Sequence, residues 1–254
     1  SYERSVEYIR RQEYDLVIVG SETVLNFYDW NLHRDVLPIF WLQSTLSGPK
    51  VMLSTSIGTD LTLDQLSSST REALSESAEA FSVLGVRDTM TYDFIAAANP
   101  SVQSKMEITP DPTFAYEIAQ TYALRFLQKR TIDPEIPIVG LDVPPHLPGV
   151  EKAVIHFKAK GYRFANWRCI TRLTDYDLLD MGPFEWASIF SRFSLTLTDR
   201  FHSSIFSLKN HTPVITIDHK PTRITASSQS KVSALLDSFG IKDTNYCDAT
   251  TIDN

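Results

Sequence analysis

The chain has 254 residues, 43% of them hydrophobic and 22% charged, with a formal net charge of −7. That is enough chain for one large or two ordinary globular cores, and without a block of Lys or Arg it disfavours nucleic-acid binding, which needs clustered positive charge. No apolar run approaches the roughly 20 residues that cross a bilayer and no signal peptide opens the chain, so the expectation is a cytoplasmic protein without a transmembrane segment. Cys169 and Cys247 lie far apart, lack metal-ligand spacing and read as reduced thiols. No metal-ligand cluster is visible, and no cofactor is expected.

A polar helix-like stretch opens the chain and leads to Tyr14–Gly20, a buried strand ending in a Gly-Ser turn. Lys50–Ile57 is a second strand. In the Ser-rich tract before Ala73, Ser69 and Glu72 have capping-box spacing, and Leu74, Ala78 and Phe81 follow on one helical face. Ser82–Arg87 is a third strand, about Asp88 to Ala98 a helix, and Lys105–Thr109 a fourth strand. Asp111-Pro112-Thr113-Phe114 then opens a helix-like segment with Phe114, Ile118, Tyr122 and Phe126 at i, i+4 spacing. Asp133-Pro134-Glu135-Ile136-Pro137 interrupts it as a Pro-rich linker.

The alternation then repeats. Strands are expected at Ile136–Val143, Tyr162–Trp167, Phe193–Thr198 and Pro213–Asp218, with helices at about Gly149–Lys160, Pro183–Arg192 and Phe201–Lys209. In the last helix Val232, Leu235, Leu236 and Phe239 share a face, and Gly240 ends it. Such alternation predicts parallel sheets covered on both faces. The fold class is therefore α/β, with two Rossmann-like domains facing a cleft, over 1–130 and 131–254. Four strands per half is lean, which predicts that the first domain lacks its N-terminal strand.

The chemistry concentrates in Phe193–Asp218, FSLTLTDRFHSSIFSLKNHTPVITID. A buried strand ends at Thr198-Asp199 and a helix opens near Arg200. Carboxyl ends of strands face the ligand crevice in open α/β sheets, and a helix N-terminus there offers N–H groups to an anion. Arg200, His202, Ser203 and Ser204 cluster at that point. An Arg fork suits phosphate or carboxylate, and a His exchanges protons near neutral pH. A plainer reading stands beside this one: Asp199 caps the helix, Arg200 pairs with it, and His202 is a satisfied surface residue. His33, His146, His156, His211 and His219 have no partner spacing. Trp167 and Trp186 read as packing residues or as platforms for sugars, and Asp111 as a turn former.

Several segments, in order from about Asp15 to Ile241, resemble the polysaccharide pyruvyl transferases: YDLVIVGSETVLN, KVMLSTSIG, VLGVRDTMTYDFI, PDPTF and TLTDRFHSSIFSLKNHTPVITID. The resemblance implies an architecture similar to the GT-B glycosyltransferases. It also implies transfer of pyruvate from phosphoenolpyruvate to a saccharide, as a ketal, in the building of cell-surface polysaccharide or glycan. Residue by residue, it implies that Arg87 reaches the donor's negative groups and that Arg200 holds phosphate or carboxylate. His202 would contact phosphate and act as acid or base. A basic residue before the final helix would be Lys231 rather than Lys220. GSETVLN lacks the triple glycine of other members, which leaves the contacts of Ser21 and Glu22 open. Two rival functions are a GT-B glycosyltransferase using a nucleotide sugar and an inactive saccharide-binding relative.

Overall fold

The computed structural model describes residues 2–28, 31–32, 35–58, 61–218 and 230–249. His33, His219 and Lys220 lie outside them. Among the described residues the chain forms two compact units that divide after Thr113, each built on a wholly parallel sheet.

In the first unit, α1 (Tyr2–Arg11) precedes strands β1 (Val17–Glu22), β2 (Lys50–Thr55), β3 (Val83–Val86) and β4 (Met106–Ile108). They lie side by side in chain order. The crossovers from β2 to β3 and from β3 to β4 contain α2 (Ser68–Ala80) and α3 (Thr89–Ala98). Trp41, Met52, Leu74, Leu84 and Ile95 fill the core, each large apolar side chain contributing roughly 1.5–3 kcal/mol on burial.

The helix starts follow local chemistry. Asp88 caps α3, its Oδ1 accepting from the Thr91 N–H at 2.8 Å. For α2 the cap is Ser67 rather than Ser69, its Oγ accepting from the Thr70 N–H at 3.1 Å. The serine run offers several equivalent caps, and buried Leu66 just ahead of Ser67 fixes where the chain enters the helix.

The second unit contains α4 (Thr121–Lys129), β5 (Ile138–Asp142), α5 (Val150–Ala159), β6 (Arg163–Asn166), β7 (Tyr176–Asp177), α6 (Pro183–Ile189) and β8 (Phe193–Thr198). After these come α7 (Phe201–Lys209), β9 (Val214–Asp218), α8 (Lys231–Ser238), α9 (Lys242–Asn245) and β10 (Tyr246–Asp248). The short edge strands β7 and β10 carry too few residues to show a pattern in sequence. Segment 112–129 is not one helix: a short 3-10 turn at Pro112–Ala115 and α4 are separate. Ala123, Phe126 and Leu127 of α4 pack with Ile138, Phe190 and Phe193 in the second unit, so the expected division at 130/131 falls beyond a helix of that core. Gly140 lets β5 meet β8, because a Cβ there would sit 2.6 Å from the Phe193 ring. Gly240, at φ 68°, follows α8 as expected.

The order of the second sheet is β10-β9-β8-β5-β6-β7. The chain runs outward from β5 through β6 to β7, then returns to the other side of β5 and runs outward again through β8, β9 and β10. The reversal lies between β5 and β8, whose register pairs Asp142 with Thr198 at their carboxyl ends. Among the described residues no helix is long and apolar enough to cross a membrane, and both cysteines are free thiols.

Candidate functional site

A doubly wound sheet opens a crevice beyond its strand ends where the strand order reverses. In the second unit that point carries Asp142 from β5, Thr198 from β8, and the first turn of α7. Arg200 is the residue preceding α7, with φ −107° and ψ 134°, and it makes no side-chain cap. Asp199 is therefore not the cap.

Hydroxyls and a buried carboxylate fix this turn instead. Asp142 is 4% exposed, and its Oδ2 accepts from Ser203 Oγ at 2.6 Å and from Thr198 Oγ1 at 3.2 Å. Thr198 Oγ1 in turn accepts from the Arg200 N–H at 2.9 Å, and Ser204 Oγ donates to the Arg200 carbonyl at 2.9 Å. Burial pushes the Asp142 carboxyl up to about 6, against the pull of the Ser203 hydrogen bond, and Asp199 adds to the rise.

Asp199 gathers two cations. Arg168, just beyond β6, places Nη1 2.7 Å from Asp199 Oδ1 and Nη2 3.4 Å from Oδ2. Arg200 Nε lies 3.4 Å from the same Oδ1. So Arg200 does pair with Asp199, as the plainer reading of the sequence has it, yet its side chain remains 59% exposed. His202 lies in the first turn of α7, half-buried, its ring edge-on to Phe201 at 5.6 Å. Lys231 opens α8 behind the cap Ser230, whose Oγ accepts from the Ser233 N–H. Val232 and Leu236 of α8 pack with Phe201 and Leu208 of α7, so Lys231 and His202 ride on helices packed against each other.

Arg87 has a different setting, at the carboxyl end of β3 in the first unit. Its Nη1 and Nη2 meet Glu22 Oε2 and Oε1 at 3.2 and 3.0 Å, and Nη1 also meets Asp111 Oδ2 at 3.2 Å. The side chains of Arg87 and Asp111 are 4% and 2% exposed. Burial opposes the charge, and Glu22 and Asp111 more than offset it, raising the Arg87 pKa above its usual value. Asp111 also shapes its turn, Oδ1 accepting from the Thr113 N–H at 2.9 Å.

Trp167 and Trp186 are packing residues. Trp167 lies flat on Phe193, and Trp186 meets Phe190 and Phe206 edge-on. Both also border a groove of about 320 Å³. Sequence reasoning missed Asp142 and Arg168. Applying the strand-end rule to every strand, rather than to β8 alone, finds both: Asp142 ends the buried run IVGLD, and Arg168 lies two residues past RFAN. Among the described residues no three His, Cys, Asp or Glu side chains gather as a metal site.

A model of the polysaccharide pyruvyl transferase family matches residues 1–221. No curated protein sequence matches the chain. Among solved structures, the UDP-GlcNAc 2-epimerase from Methanocaldococcus jannaschii is similar with a TM-score of 0.53 and 10% identity, over 93% of this chain and 73% of that one. The UDP-GlcNAc 2-epimerase from Neisseria meningitidis, bound to UDP-GlcNAc, is similar with a TM-score of 0.50 and 9% identity, over 98% and 75%. At such identity the likeness is one of fold: α/β, GT-B-like, with two Rossmann-like domains.

Proposed function

The chain belongs to the polysaccharide pyruvyl transferase family, and from that premise we propose that it moves pyruvate from phosphoenolpyruvate onto a saccharide, closing a ketal, with the turn Arg200–His202 at the centre of the chemistry. The observation that supports this most is the place of that turn, on a helix start at the strand-order reversal of a parallel sheet.

The reaction needs an anion site and proton transfer side by side. A proton delivered to C3 of phosphoenolpyruvate makes C2 electrophilic. A sugar hydroxyl bonds to C2 and gives up its proton. The C2–O bond to phosphate then breaks, phosphate departing with the electron pair, and a neighbouring hydroxyl closes the ketal with loss of its own proton. In this reading the Arg200 guanidinium and the N–H groups at the start of α7 hold the phosphate, His202 moves a proton, and Lys231 adds positive charge. The family resemblance also implies a donor contact for Arg87. Its guanidinium is held by Glu22 and Asp111, so a donor anion competes with those carboxylates for it.

The test is phosphate release from phosphoenolpyruvate with a panel of p-nitrophenyl glycosides, followed by mass spectrometry of the acceptor. Acceptor-dependent phosphate release with a pyruvylated product is expected. No release with any acceptor, together with tight binding of UDP or GDP by calorimetry, would put a nucleotide-sugar transferase in its place.

A further inference from the structure

We propose that Arg168 is a second donor-contacting cation, taking the carboxylate of phosphoenolpyruvate while Arg200 and the first turn of α7 take its phosphate. The proposal rests on the donor assignment above and deepens it.

Arg168 carries five N–H bonds. Its end-on pair faces Asp199, with Nη1 at 2.7 Å and Nη2 at 3.4 Å, and the other Nη1 hydrogen points to the Asp142 carbonyl at 3.3 Å. That leaves Nε–H and one Nη2–H, which together form the side-on edge of the guanidinium. Among the described residues nothing accepts from that edge, and the side chain is 24% exposed. A planar pair of N–H groups is the shape that binds a carboxylate bidentately. Three contacts already fix the plane of this one, so little freedom is lost on binding.

Arg200 complements it. Its Nε lies 3.4 Å from Asp199, and among the described residues its Nη pair makes no hydrogen bond. One carboxylate, itself 5% exposed, therefore gathers two guanidiniums, and each keeps a two-donor edge unused by the described protein. Arg168 and Arg200 set two guanidiniums against the carboxyls of Asp199 and Asp142, beside a helix N-terminus that adds its own positive dipole end. A small donor with a phosphate and a carboxylate on one carbon skeleton has the matching two anionic groups, and inorganic phosphate has only one.

Calorimetry with phosphoenolpyruvate and, separately, inorganic phosphate separates these roles. Arg168→Ala removes the edge and leaves Asp199 short of a partner, so it can fail to fold. Arg168→Lys keeps a charge for Asp199 without a side-on fork and serves as the second variant. The expected result for Arg168→Lys is a loss of about 10- to 100-fold in phosphoenolpyruvate affinity with phosphate affinity within about twofold of wild type. Arg200→Ala should weaken both ligands. Unchanged phosphoenolpyruvate affinity in Arg168→Lys overturns the assignment, and so does an equal loss for both ligands, which marks Arg168 as a support of the turn. A wild-type protein that binds phosphate but not phosphoenolpyruvate overturns the donor assignment itself, and this one with it.

Discussion

Arg87 in the first unit and Arg200 in the second each follow a buried parallel strand, yet their side chains are 4% and 59% exposed. The difference comes from what surrounds each guanidinium. Arg87 meets two carboxylates, Glu22 and Asp111, and is drawn into the protein. Arg200 shares a single carboxylate with Arg168 and stays at the surface. Topology runs in parallel: the first sheet keeps its strands in chain order, while the second reverses between β5 and β8. The same residue type at the same kind of strand end is thus buried between carboxylates in one unit and exposed in the other.

If the second unit carries the chemistry, His202→Ala should lower kcat by about 10²–10⁴-fold, or roughly 3–5 kcal/mol of transition-state stabilisation. Its melting temperature should move by only a few degrees. His202→Gln should retain phosphoenolpyruvate binding better than turnover. Near-normal kcat in His202→Gln would reduce His202 to a phosphate contact.

Arg87→Ala should show the opposite balance. It leaves the buried Asp111 carboxylate without its guanidinium, a change that costs about 3–5 kcal/mol. Urea denaturation measures it, and a loss below about 1 kcal/mol would show that Arg87 is not framework. The pH dependence of stability gives a third test, on Asp142. Its carboxyl holds a proton in the folded protein to a higher pH than in the unfolded chain, about 6 against 3.8. The folded state therefore binds more protons in that window, and its stability falls as pH rises from about 4 to about 6, by roughly 3 kcal/mol in all. Comparing urea midpoints of wild type and Asp142→Asn should show this slope removed in the variant, and identical slopes would refute it. The smallest effect belongs to Arg200→Ala, expected to change stability by less than about 1 kcal/mol because its guanidinium is 59% exposed and Asp199 keeps Arg168 as a partner. A large loss there would erase the contrast with Arg87.

Much of this arrangement was legible in the amino-acid order. The long strands show as apolar runs, and Phe201–Lys209 as a helix opening at a polar cluster, because period and capping are local properties. Ser67 was missed as a cap because neighbouring serines have the same local chemistry. The short strands β7 and β10 are held by pairing with β6 and β9, which leaves no periodicity of their own. Arg168 and Asp199 lie 31 positions apart, and Glu22 and Arg87 lie 65 apart. Pairings over such separations depend on strand order, which the sequence pattern does not contain. For that reason the type of residue at each strand end could be read in advance, but not which guanidinium would be buried.

Glu22 has a consequence for how this protein can change. Its φ of 81° lies in the left-handed region, where a residue with a side chain costs roughly 1–2 kcal/mol and glycine is at ease. Glutamate and glycine codons differ by one base, an A-to-G transition at the second position. A single transition at Glu22 would relax the backbone and take away the carboxylate that covers the Arg87 fork, with Asp111 still in place to hold the guanidinium. The first unit's arginine is in this sense stoppered by a residue its own backbone resists, and the stopper is one nucleotide from removal.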